Sequence, residues 1–191
     1  MNLINVLMSV KKKKYVKDND MDRDKAKTIA YSSHKAYTKL MFLTSLLIVE
    51  DDISGNNIVK ELKKNLLSIS ARISYEILYP IYNEFPEIKK DIDLLETALP
   101  FARNHKTQFL KEIDTEEKAR IVIYLSTSAF NDLAGRLIPH VISTNENEIS
   151  QVVAEQSKNI ILNILTPLFK KFPSFKNELD EIQNTLGSFP Y

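Results

Sequence analysis

The chain has 191 residues, 43% hydrophobic and 27% charged, with 26 basic against 25 acidic residues and a net charge of +1. That length suits one domain or two small units sharing a core, and the near-neutral balance gives no global attraction to nucleic acid or anionic lipid. The absence of cysteine excludes disulfides, thiolate metal sites and a cysteine nucleophile, and three glycines leave little material for phosphate-cradling loops.

Residues 1–10, MNLINVLMSV, are apolar, but the lysines follow them. A secretory signal has the opposite order, so none is expected. The longest other apolar run, Leu40 to Val49, is too short for a membrane span of about 20 residues. A cytoplasmic protein with no membrane span is expected. Residues 11–24, KKKKYVKDNDMDRD, are almost all charged or polar and cannot offset their ordering entropy by burial. Residues 1–21 are therefore read as a flexible tail ahead of a single all-helical domain over 22–191. Lys11, Lys12, Lys13 and Lys14 form the strongest charge block and are the candidate phosphate contact.

Beyond the tail, apolar residues recur at spacings of three and four. They predict a first helix through Ile29, Ala36, Leu40, Leu43 and Leu47, and a second through Leu62, Leu66, Ile69, Ile73, Ile77 and Ile81. A fourth runs through Val122, Ser126, Ala129, Leu133 and Leu137, and a fifth through Ile149, Val152, Ile160, Ile164 and Leu168. Ser54-Gly55-Asn56-Asn57 and Ser143-Thr144-Asn145 read as loops. Phe85-Pro86 and Phe172-Pro173 should each end one helix and open the next, which gives the third and sixth helices. Pro80 and Pro167 lie within helical spacing. Each should remove the hydrogen bond to the carbonyl four residues back, at Glu76 or Asn163, and bend the axis.

These elements occur twice. Residues 77–93, ILYPIYNEFPEIKKDID, align without a gap to 164–180, ILTPLFKKFPSFKNELD, with seven of seventeen positions identical. Residues 25–40, KAKTIAYSSHKAYTKL, align to 118–133, KARIVIYLSTSAFNDL, in the same order along the chain. The reading is an all-α bundle of about six helices in two tandem three-helix repeats, 22–103 and 114–191, related by pseudo-two-fold symmetry.

No catalytic constellation emerges. His34, His105 and His140 have no Glu three residues before them and form no His-Glu-x-x-His. Asp91, Asp93, Glu178 and Asp180 fall early in proline-initiated helices, where the helix dipole favours acids. Glu50-Asp51-Asp52 closes a helix, where acids are disfavoured. No catalytic residue, cofactor or metal site is assigned. Tyr31, His34, Tyr124, Arg136 and His140 are the residues that a cleft between the repeats would use. The function expected is a non-enzymatic helical protein-interaction module, with another protein or a second copy as partner. The alternatives are a small subunit of a nucleic-acid complex, which is not favoured, and an enzyme or small-ligand carrier with its site between the repeats.

Overall fold

A computed structural model of the chain describes residues 21–54, 57–97, 115–135 and 148–178. Helix accounts for nearly all of them, and there is no strand among the described residues. Residues 1–20 of the expected tail, 1–21, and residues 98–114 lie outside them.

Helix α1 spans Arg23–Ser54. Asp22 caps it: its carbonyl accepts the Ala26 N–H at 2.9 Å and its carboxylate faces the Asp24 N–H at 3.4 Å. Its buried stripe is Ala26, Ile29, Ala30, Ser33, Ala36, Leu40, Leu43 and Leu47, at the spacing the sequence predicts. Helix α2, residues 57–84, is α-helical over Asn57–Arg72, widens into a π-turn over Ile73–Leu78, and is α-helical again over Tyr79–Glu84. Phe85 leaves the helical region at φ −127° and ψ 73°. Pro86 then opens α3, Pro86–Thr97.

Helix α4, residues 115–135, runs over Thr115–Phe130 and ends in a π-turn, Asn131–Gly135. Helix α5, residues 148–171, has α-helical Glu148–Ile160, a π-turn over Ile161–Leu165 and α-helical Thr166–Lys171. Phe172 breaks it at φ −129° and ψ 74°, and α6 covers 173–178.

The two interior prolines thus do more than delete a bond. A proline ring in a regular helix collides with the carbonyl four residues earlier. Here the turn before each proline is widened, and the N–H of Tyr79 reaches Ser74 while that of Thr166 reaches Ile161, five residues back in each case. The Asn163 carbonyl, which Pro167 cannot serve, accepts the side-chain amide of Asn65 on α2 at 3.2 Å.

Helix α1 packs against α2 and α4, and α5 packs against α2 and α4. Asn65 meets Asn163 while Arg72 meets Glu155. Numbers rise on α2 as they fall on α5, so these two helices run antiparallel. The centre of the bundle is filled by Leu40, Leu43, Leu66, Ile73, Ile77, Ile81, Leu133, Ile160 and Ile164, all essentially inaccessible. Each such side chain contributes about 1.5–3 kcal/mol of transfer free energy.

Candidate functional site

Large apolar side chains left in water mark an interaction surface where they lie together, whereas single scattered ones are ordinary. Most of the large exposed apolar side chains lie on α2 and α5, around their π-turns: Leu67, Tyr75 and Tyr79 on α2, Ile161 and Leu162 on α5. Tyr75 is 62% exposed and Leu162 50%. Both sit inside a π-turn, and they occupy the same place in the aligned halves. A π-turn adds a residue to the circumference and re-aims the side chains it carries, which is why such turns gather at functional surfaces. Asn65 and Asn163 stitch the two helices together beside Leu67 and Leu162.

Polar contacts brace this helix pair from one side. The Arg72 guanidinium bonds both oxygens of Glu76, at 2.8 and 2.9 Å, and reaches Glu155 on α5 at 2.9 Å. The hydrogen bonds to Glu76 and then to Glu155 raise the Arg72 pKa further, so it stays charged. The same guanidinium holds the Glu155 carboxyl below the ordinary carboxylate range.

On the other side of the bundle, Lys39 of α1 bonds Ser128 Oγ at 2.7 Å and pairs with Asp132 of α4. Asp132 is only 5% exposed. In the sequence alignment Lys39 and Asp132 are matched to each other, where the difference reads as a mismatch.

Of the five residues expected at a cleft between the repeats, Tyr31, His34 and Tyr124 are among the described residues. Tyr31 has the Lys27 ammonium 5.8 Å from its ring centroid. His34 lies 6.2 Å from the Tyr37 ring and has Nδ1 3.4 Å from the Tyr82 hydroxyl on α2. Tyr124 lines a different place, an open groove of about 360 Å³ between α4 and α6, with Arg120, Phe175 and Glu178. There Arg120 stacks 4.9 Å over the Phe175 ring and pairs with Glu178 at 3.3 Å. Arg136, His140, His105 and Lys11–Lys14 lie outside the described residues.

Asp91 and Glu178, the acids read as dipole-favoured, each hold a cation from a neighbouring helix: Lys27 on Asp91 at 3.6 Å and Arg120 on Glu178 at 3.3 Å. Among the described residues no group of three or more His, Asp or Glu converges as a metal would require, and no helix is long and apolar enough to cross a membrane. Compared with known proteins, the chain matches no family model, no curated protein and no solved structure.

Proposed function

We propose that this chain is a non-enzymatic helical interaction module, an adaptor, regulator or small complex subunit of the cytoplasm, that binds another protein through the outer face of α2 and α5. The observation that carries this reading is the pair Tyr75 and Leu162, large apolar side chains kept in solvent at matched places on two π-turns. Apolar anchors beside a polar rim, here Arg72, Glu76 and Glu155, are the usual composition of a protein-binding surface.

The module is proposed to be a duplicated three-helix unit with pseudo-two-fold symmetry. Support comes from burial that recurs residue by residue: Leu62, Leu66, Ser70, Ile73, Ile77, Leu78 and Ile81 on α2 match Ile149, Val153, Ser157, Ile160, Ile164, Leu165 and Leu168 on α5. The breaks at Phe85 and Phe172 agree within two degrees in φ and one in ψ. The Lys27–Asp91 and Arg120–Glu178 pairs also join matched positions. The backbone of the two copies differs where α1 is α-helical through 38–42 while α4 widens into its π-turn at the matched Asn131–Gly135.

The test is a double substitution, Tyr75→Glu with Leu162→Glu, in the full chain. Both positions are exposed, so circular dichroism and the melting temperature should hold. A stoichiometric protein partner that copurifies with the wild type from its native source should be lost by the variant. A partner retained equally by both proteins would refute this surface. Bound nucleic acid, visible as excess absorbance at 260 nm because the chain has no tryptophan, would overturn the reading in favour of a nucleic-acid subunit.

A further inference from the structure

The α2–α5 crossing contains polar side chains that the apolar pattern does not require. Gln156 is fully buried where the matched residue of the other half is Ile69, also buried. Its Oε1 accepts the Asn159 side-chain amide at 3.3 Å, while its Nε2 makes no hydrogen bond to protein. Ser70 Oγ is likewise buried with no protein partner. Ser157 Oγ donates to the Val153 carbonyl at 2.8 Å, which leaves its lone pairs as acceptors. The antiparallel register carried by Asn65–Asn163 and Arg72–Glu155 sets Ser70 across from Gln156 and Ser157. Ala36 on α1 and Ala129 on α4 are small and fully buried.

We infer that this layer is an internal hydration site, in which one ordered water is held between Ser70, Gln156 and Ser157. The hydrogen-bonding inventory closes around such a molecule. It accepts from Gln156 Nε2–H, accepts from the Ser70 hydroxyl, and donates to the free lone pairs of Ser157 Oγ. Three bonds is the ordinary complement of a buried water, and such waters serve buried groups that lack a protein partner. Serine stands at both matched places, and a glutamine supplies the donor that isoleucine at the other matched place lacks.

A crystal structure of the full chain at about 1.5 Å would decide the matter. The expected result is one density peak within about 2.7–3.2 Å of both Ser70 Oγ and Gln156 Nε2. A direct bond from Gln156 Nε2 to Ser70 Oγ, with no peak between them, would overturn the inference. Solution NMR supplies an independent readout on the wild-type chain. The Gln156 side-chain amide protons should show a cross-peak to a long-lived water, and the melting temperature should rise in Gln156→Ile, which no longer buries an amide. Cross-peaks from those protons to Ser70 alone, with none to water, would also count against it.

Discussion

Lys39 offers the cleanest single-residue measurement in the bundle. Its ammonium pairs with a carboxylate that is nearly inaccessible, so Lys39→Met removes the cation while leaving the buried charge. Breaking a buried pair from one side costs about 3–5 kcal/mol. The Lys39 side chain keeps 29% exposure, so solvent near the site puts the expected loss at about 2–3 kcal/mol on urea denaturation. Lys39→Asp should be worse, because two carboxylates would then meet. Adding Asp132→Lys to it should recover most of the loss; no recovery would mean that the pair does not set the α1–α4 contact. Arg72 makes a different prediction. The folded-state pKa of Glu155 is lowered, so its contribution is present above about pH 4.3, the unfolded value, and fades as pH falls through the folded one. Both partners are well exposed to solvent, so that contribution is below about 1 kcal/mol. In Arg72→Ala, NMR titration of Glu155 should return to the ordinary carboxylate range.

At the scale of the helix, the two interior prolines are tied to their widened turns, and the second is tied to a neighbour. Asn65→Ala should cost about 1 kcal/mol, the net worth of one hydrogen bond. Restoring a backbone N–H with Pro167→Ala gives the Asn163 carbonyl a donor within its own helix, so the Asn65 substitution should cost less in that background. Strict additivity of the two changes across a double-mutant cycle would contradict this account. The helices themselves were legible in the sequence. Burial at Ile29, Ala36, Leu40, Leu43 and Leu47 is the predicted three-and-four stripe, and both Phe-Pro breaks fall where the residue before a proline must leave the helical region. The widened turns were not legible, because apolar spacing reports which side chains face inward and not how far each N–H reaches. Tyr75 and Leu162 stand outside the stripes that the spacing assigns to the core, and both are exposed. Ser70 and Gln156 were invisible to a pattern that counts apolar positions.

At the scale of the whole molecule, the halves interleave. Helix α1 packs on α4 and α2 on α5, so neither half owns a separate core. Ile77→Ala and Ile164→Ala each empty a fully buried site and should each cost about 2–5 kcal/mol. Both should shift one shared unfolding transition seen by fluorescence and by circular dichroism alike. Two resolved transitions, each sensitive to only one substitution, would rule out a shared core. The contact between Lys39 and Asp132 carries a further consequence under the proposed duplication. Matched positions that touch each other lie at the symmetry axis, where an unfused ancestor assembled from two identical copies would have set the same residue against itself. Two lysines or two aspartates could not have met there without strong repulsion. Under that duplication, the opposite charges would have arisen after the two copies were joined, once each half could change without the other. If the proposed duplication holds, that ion pair marks where a symmetric assembly became one asymmetric chain, and replacing both residues with identical small neutral ones would be the first step in rebuilding such a dimer.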